Sequence, residues 1–126
     1  MQQTIEKIMT TREVADRFNE LAQEEKWFEI QDELFADHVK SIEPEHSQHP
    51  KLVEGKLAVR KKGEAWVARI TEFHGASTSV PLVSGNHFAV DRFVEITVEG
   101  MGRIKAHEIM LYKVENGQIV SEQFFY

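Results

Sequence analysis

Three short glycine-containing turns divide the second half of the chain into four segments with the composition of β-strands. The turns are Ser84-Gly85, Gly100-Met101-Gly102 and Asn116-Gly117, and connections of this length and composition are typical of β-hairpins. The segments that they separate are residues 73–83, 86–98, 103–114 and 118–126. Because a hairpin places its two strands antiparallel, this half of the chain predicts an antiparallel sheet.

The first half of the chain has the sequence features of helices. Thr10 and Glu13 fit a capping box, in which each side chain satisfies the backbone amide of the other residue at a helix start. The apolar residues that follow recur at helical spacing: Val14, Phe18, Leu21 and Ala22. A second helix is predicted over 27–34, and a third opens at Gly55 and runs to about Ile70. Helices followed by a sheet indicate an α+β fold.

Length and charge limit the classes of function. The chain has 126 residues, so we expect one domain over residues 1–126, with residues 1–10 as a loosely ordered N-terminal segment. The net charge is -6, with 21 acidic and 15 basic residues. No basic excess is therefore present to displace counterions from a nucleic acid, which we exclude as a partner. The absence of cysteine excludes disulfides and thiolate chemistry.

The cellular location is also an expectation from the sequence. Met1–Lys7 lacks the basic start and the apolar run of a signal peptide. No apolar stretch approaches the ~20 residues needed to span a bilayer. We therefore expect a cytoplasmic protein with no membrane partner.

A carboxylate stands at the end of a short predicted strand over 39–43. This residue, Glu43, directly precedes Pro44, which ends strand pairing because proline has no amide proton. The polar segment 45–54 that follows is predicted to be a loop. Desolvation in a dry pocket raises the pKa of a glutamate, which makes Glu43 a candidate general base. The alternative is a strand-end glutamate that points to water or caps a loop amide.

Two charged residues interrupt apolar faces of the predicted strands. Alternation groups Glu108 with the apolar residues of the 103–114 strand, and Arg92 with those of the 86–98 strand. A charge on a buried face must be paired, hydrated or functional. Arg92 therefore either binds a ligand or forms an ion pair with a glutamate, and we favour a structural or mixed role.

The last hairpin has two alternative registers. A two-residue Asn116-Gly117 turn would place Gln123 beside Met110, whereas a three-residue loop with a bulge at Gly117 would place Glu122 there. We prefer the second, which groups four residues with the Glu108 face: Val120, Glu122, Phe124 and Tyr126.

The histidines do not predict a metal site. His46 and His49 have a possible ligand spacing. They lie in a polar loop, however, and no His-Glu-x-x-His helix accompanies them. We therefore expect no metal, and we interpret the three histidines of the sheet as surface or interface residues: His74, His87 and His107.

The order of these elements resembles the nuclear-transport-factor-2-like superfamily, which includes SnoaL-like polyketide cyclases and ketosteroid isomerases. The resemblance runs from about Thr11 to Tyr126. Its best local matches are Phe35-Ala36-Asp37 leading to Glu43-Pro44, Gly55-x-x-Ala58-Val59, residues 111–120, and the closing Glu122-Gln123-Phe124-Phe125-Tyr126, which is similar to the end of a SnoaL-like subgroup. It implies a cone-shaped α+β fold, with a strongly curved antiparallel sheet wrapped around three N-terminal helices and an internal pocket.

The resemblance also carries a chemical comparison. Ketosteroid isomerases use an aspartate base before a proline, and Glu43 stands at that place. They also use a tyrosine of the first helix and a protonated acid of the third strand as oxyanion donors. Here Phe18 and Met110 hold those places, and neither has a donor. Each such donor lowers the activation barrier by ~3–4 kcal/mol. The absence of both donors therefore argues against ketosteroid isomerase activity itself.

The function that the resemblance implies is a SnoaL-like small-molecule enzyme without a cofactor. It would use general acid/base chemistry for isomerisation, cyclisation or hydration of an apolar carbonyl compound, with Glu43 as the catalytic base. We expect a small apolar or amphipathic molecule to contact one set of residues: Phe18, Trp66, Phe88, Arg92, Glu108, Met110, Tyr112, Glu122 and Phe124. The alternative is a non-catalytic module that binds a small ligand or docks through its sheet.

The opposite face of the sheet predicts self-association. Ile109, Leu111 and Phe125 are apolar residues of that face, and an apolar outer face needs cover. Since members of the superfamily often pair through such faces, we expect a homodimer. If the side chains of Trp66 and Phe88 fill the pocket, the third alternative is a purely structural dimer without a ligand.

Overall fold

Helix α1 begins where the capping box predicts it, in a computed structural model that describes residues 7–126. The Thr10 hydroxyl accepts a hydrogen bond from the Glu13 amide at 3.1 Å, and the Glu13 carboxylate accepts one from the Thr10 amide at 3.0 Å. The elements are α1 Thr11–Gln23, α2 Trp27–Leu34, β1 Phe35–Ile42, β2 Leu52–Glu54, α3 Lys56–Arg69, β3 Ile70–Thr78, β4 Leu82–Ser84, β5 His87–Val98, β6 Gly102–Glu115 and β7 Gln118–Phe125. The first six residues of the predicted N-terminal segment lie outside the described part of the chain.

The strands form one curled, unclosed sheet in the order β2-β1-β7-β6-β5-β3, with β4 also paired to β5. All pairs are antiparallel except β1 and β7, which run parallel. The sheet is antiparallel, as predicted, apart from this one pair. Since β1 and β7 are distant in the chain and no hairpin joins them, no turn signal in the sequence indicates their direction.

Three further details of the elements differ from the prediction. The predicted strand 73–83 is split into β3 and β4, with Pro81 between them, because proline cannot donate to the ladder. The predicted loop 45–54 contains the short strand β2, which pairs with the end of β1. β1 itself starts at Phe35, four residues before the predicted start at Val39.

The last hairpin combines a two-residue turn with a bulge beyond it. Glu115 pairs with Gln118 across Asn116-Gly117, and the register then shifts between Lys113 and Val114. The prediction of a three-residue loop was wrong, because the extra residue is Val120 in the strand and not a residue of the turn. Glu122 therefore lies opposite Tyr112 and not Met110, which pairs with Phe124. Glu122 and Phe124 share a face with Tyr112 and Met110, as predicted, since direct cross-strand partners point to the same side.

The curled sheet wraps around the helices and encloses the core at one end of the cone. Phe18 of α1 lies at the centre of this core, with its ring centroid 5.0 Å from Phe88 and 4.7 Å from Tyr112. All three side chains are buried. Close-packed rings at this spacing leave no room for a ligand between them. No helix formed by residues 7–126 has the length and apolar character to cross a membrane.

Candidate functional site

A cleft of about 580 Å³ lies at the other end of the cone, between α3, the loop after β1 and the inner face of β5–β7. Four of the predicted site residues line it: Glu43, Trp66, Glu108 and Phe124. Val94, Ile104 and Ala106 add apolar surface. A mainly apolar concave site with a few convergent polar groups is typical of small-molecule binding.

The other predicted site residues lie elsewhere. Phe18, Phe88, Met110 and Tyr112 belong to the packed core and are not part of the cleft wall. Burial raises the pKa of the Tyr112 hydroxyl well above its ordinary value, so this side chain stays neutral. Phe88 thus fills the core as the plugged alternative requires, but Trp66 lines open space, and the cleft is not closed off.

Glu43 is fixed at the point where β1 ends. Its amide donates to the Lys51 carbonyl at 2.9 Å, which aligns the residue with the short β2 hairpin. Its side chain is only 6% exposed, and Oε1 lies 3.3 Å from the Lys62 ammonium. The Tyr126 hydroxyl lies 3.3 Å from Oε2. The candidate base is therefore a nearly buried carboxylate with a cation on one side and a phenol on the other.

Lys62 is a functional candidate that the sequence analysis missed. Its side chain is 13% exposed, donates a 2.9 Å hydrogen bond to Ser41 Oγ, and its ammonium lies 5.1 Å from the centre of the Phe124 ring. Because Lys62 belongs to a basic stretch of α3, its sequence context indicates a solvent-exposed lysine. The available signal was spacing, because Lys62 lies three residues after buried Val59 and four before Trp66, on the same helix face.

Ser41 connects Lys62 to a second buried carboxyl group. Ser41 lies beside Glu122 in the parallel β1–β7 pair, and its hydroxyl donates to Glu122 Oε1 at 2.8 Å. Burial raises the pKa of Glu122 to about 7, although the Ser41 hydrogen bond and the Lys62 charge oppose the rise. Glu122 is therefore held behind the cleft wall and gains a proton near neutral pH.

Glu108 is the third carboxyl group of the site, and it faces the cleft directly. Burial raises its pKa to about 7, and the negative charges of Glu43 and Glu122 add to the rise, while Arg92 and Lys62 oppose it. A carboxyl group that titrates near neutrality is suited to both giving and taking a proton. The arrangement places such a group in the same cleft as Glu43.

Arg92 is turned away from these carboxyl groups. It lies opposite Glu108 in the β5–β6 ladder, but its guanidinium bonds to Glu25 at 2.8 and 3.2 Å and to Thr78 at 3.0 Å. It also lies 4.4 Å above the Trp27 ring. The partner is thus a glutamate of the α1–α2 connection, and these contacts favour the structural role.

The loop after β1 is held over the cleft by aromatic contacts. The Tyr126 hydroxyl lies 2.6 Å from Ser47 Oγ, and the His46 ring packs edge-on against Tyr126 at 5.5 Å. His49 packs edge-on against Trp66 at 5.1 Å, and burial lowers its pKa. Both histidines therefore contact aromatic rings. Within residues 7–126, no group of three or more His, Cys, Asp or Glu side chains is placed to hold a metal ion.

Comparison with known proteins identifies the family of the chain and structures with a similar fold. A model of the SnoaL-like domain matches residues 9–126. The chain is similar to a crystal structure of a candidate SnoaL-like polyketide cyclase from Mesorhizobium loti, with 33% identity, a TM-score of 0.88, and coverage of 94% of this chain and 100% of that one. No curated protein matches the chain.

More distant structures share the fold. A candidate SnoaL-like polyketide cyclase from Jannaschia is 14% identical, with a TM-score of 0.72 over 98% of this chain and 90% of that one. A candidate isomerase from Bacillus subtilis is 17% identical, with a TM-score of 0.68 over 92% and 88%. The family match extends from α1 to the end of the sheet and includes every residue of the cleft. The chain therefore belongs to the SnoaL-like family.

Proposed function

We propose that this protein is a small-molecule enzyme that moves a proton on an apolar carbonyl compound by general acid/base chemistry and without a cofactor. The reaction class would be isomerisation, cyclisation or hydration. The observation that carries the proposal is the pairing of two carboxyl groups in one cleft with different surroundings. Glu43 is ion-paired with Lys62 at 3.3 Å, whereas burial raises the pKa of Glu108 to about 7.

The two carboxyl groups take different roles in this proposal. Glu43, held beside a cation, is the carboxylate that accepts a proton from carbon. Glu108, which is protonated below about pH 7, is the acid that returns a proton to the substrate. Pairs of titratable groups with contrasting environments commonly divide acid and base roles in this way. Trp66 and Phe124 supply flat apolar walls for the substrate.

Deuterium exchange tests the proposal without knowledge of the natural substrate. The protein would be incubated in heavy water with a panel of cyclic ketones and 1,3-diketones, and incorporation of deuterium at carbon would be followed by mass spectrometry. Abstraction of a proton next to a carbonyl exchanges it even when no new product forms. We expect exchange above the uncatalysed rate for the native protein and its loss in the Glu43→Gln variant, with nearly unchanged ligand affinity.

A matched control separates the site from general charge effects. Glu115 ends β6 and is exposed, so Glu115→Gln should exchange at the native rate. An unchanged rate in Glu43→Gln would remove Glu43 from the mechanism. Binding of panel compounds without any exchange would instead favour the non-catalytic ligand-binding module.

A further inference from the structure

We propose that Lys62 contacts the substrate and stabilises the oxygen anion that forms when Glu43 takes a proton from carbon. The inference rests on the proposed function and adds a catalytic residue to it. When the base takes the proton, the electron pair of the C–H bond becomes a C=C bond, and the π pair of the carbonyl moves onto oxygen. A full negative charge then develops in an apolar cleft and needs a partner.

Other donors are not available at the places where related chemistry uses them. Phe18 and Met110 have no donor groups, and both are packed in the core, with 0% and 3% exposure. Arg92 is held by Glu25 and Thr78. Among the cationic side chains of residues 7–126, Lys62 is the one that the structure places against the proposed base.

The geometry of Lys62 fits the role. Its ammonium is 3.3 Å from Glu43 Oε1 and 2.9 Å from Ser41 Oγ, and the residue forms part of the cleft wall. An ammonium has three donors, so these two contacts leave one for a ligand oxygen. A carbonyl group whose adjacent carbon faces Glu43 would therefore place its oxygen near Lys62.

The charges around Lys62 decide whether an anion is tolerated. Glu43 faces it from the end of β1, and the Lys62 charge also acts on Glu108 of β6, Glu122 of β7 and His49 of the loop. The Tyr126 hydroxyl lies on the other side of Glu43. Near and below neutral pH, Glu108 and Glu122 hold protons, because burial raises the pKa of each to about 7. Under those conditions Lys62 and Glu43 balance each other, Glu122 adds no negative charge, and the neutral Glu108 carboxyl group of the cleft can donate to an added oxygen anion.

A merely structural ion pair is the competing role for Lys62. In that case its charge would orient Glu43 and have no preference for anionic ligands. The two roles differ in one measurable property: if Lys62 contacts the ligand, removing Lys62 weakens the dependence of affinity on the negative charge of the ligand's oxygen.

Phenols of increasing acidity are probes of that property. Dissociation constants would be measured at pH 6 for a series from phenol to para-nitrophenol, with native protein and the variants Lys62→Met, Lys62→Arg and Lys61→Met. We expect affinity to rise with phenol acidity in the native protein. Lys62→Met should lose about tenfold for the most acidic phenol, which corresponds to ~1.4 kcal/mol, and little for phenol itself. Lys62→Arg should keep part of the preference, because it keeps the charge.

A control variant and two contrary results complete the phenol experiment. Lys61 precedes Lys62 in α3, is exposed and does not line the cleft, so Lys61→Met should bind as the native protein does. The proposal is overturned if the native protein shows no preference for acidic phenols, an outcome that needs no variant to fold, or if Lys62→Met retains it. Phenol binding needs no turnover. Absence of deuterium exchange with an intact phenol preference would therefore contradict the proposed enzyme and leave the oxygen-anion site standing.

Discussion

Ser41 donates a 2.8 Å hydrogen bond to Glu122 from the neighbouring parallel strand. The same serine hydroxyl accepts a hydrogen bond from Lys62 at 2.9 Å. Ser41 thus joins the cation of the cleft to a buried acid that has no direct access to a ligand. We expect the protonation of Glu122 to affect the stability of the protein. We expect the protonation of Glu108, which lines the cleft, to affect activity.

Stability should fall with rising pH because of Glu122. Burial raises its pKa from 4.5 to about 7, so the folded state holds a proton in this interval that the unfolded state has already released. The stabilising contribution is complete below the unfolded value and is lost as pH rises through about 7. We expect a loss of at most about 3 kcal/mol from this group, measured by urea unfolding at a series of pH values.

The Glu122→Gln variant is the matched comparison for that series. Glutamine can still accept the Ser41 hydrogen bond but does not titrate. The difference in unfolding free energy between the native protein and this variant should therefore change across the same interval. Parallel curves for the two proteins would show that Glu122 does not titrate as proposed.

Proton transfer should depend on pH through Glu108. If the protonated form of Glu108 supplies the proton, deuterium exchange should fall as pH rises past about 7, where this group ionises. Glu108→Gln should exchange slowly at every pH, because an amide cannot supply the proton. A rate that rises through the same interval would instead assign Glu108 as the base.

Arg92 should matter for stability and not for the cleft. Arg92→Met removes charged hydrogen bonds to Glu25 and a hydrogen bond to Thr78, which we expect to cost about 2 kcal/mol of unfolding free energy. Arg103→Met is the control, since Arg103 is 60% exposed in its pair with Glu95 and exposed pairs contribute little. Affinity for phenols should be the same in both variants. Weaker phenol binding in Arg92→Met alone would give Arg92 a role in the site.

The turn between β6 and β7 should be sensitive to a single methyl group. A Cβ at Gly117 would lie 2.9 Å from the Met9 amide nitrogen, and the residue has φ +74, whereas Gly85 has φ +58 with no atom nearby. Gly85→Ala should cost about 1–2 kcal/mol from backbone strain, and Gly117→Ala about 1–3 kcal/mol more from the clash. Chemical denaturation of both variants measures the difference. Equal losses of unfolding free energy would show that Met9 moves away from the added Cβ at no cost.

The outer face of the sheet should mediate dimer formation. Ile109 and Phe125 are direct cross-strand partners and are 51% and 46% exposed. We propose that a second copy covers them, so light scattering at micromolar concentration should give twice the chain mass. Ile109→Glu should give a monomer, and Val80→Glu, which changes an exposed residue outside the strands, should not. A monomeric native protein would contradict the proposal.

Local signals predicted most of the fold. The capping box, the turns and strand alternation identified α1, α2 and the three long hairpin strands, because each of these depends on neighbours in sequence. The residues alone left open whether Glu43 faces a pocket or water, and it was the family resemblance that implied its position in the cleft. For Lys62 the one local signal was its helical spacing from Val59 and Trp66. The contacts with Ser41 and Phe124 that bury its ammonium come from strands that are distant in the sequence.

The parallel pair of β1 and β7 has a consequence for the way the protein is made. Ser41 and Glu122 are 81 residues apart in the chain, and translation adds about 5–20 residues each second. For on the order of 10 seconds, therefore, β1 emerges from the ribosome without the strand that completes its edge. An unpaired strand edge is a template for incorrect association. Newly made chains should thus be most prone to aggregation just before β7 is synthesised, and the cleft, whose wall includes Phe124 of β7, cannot be complete before that point.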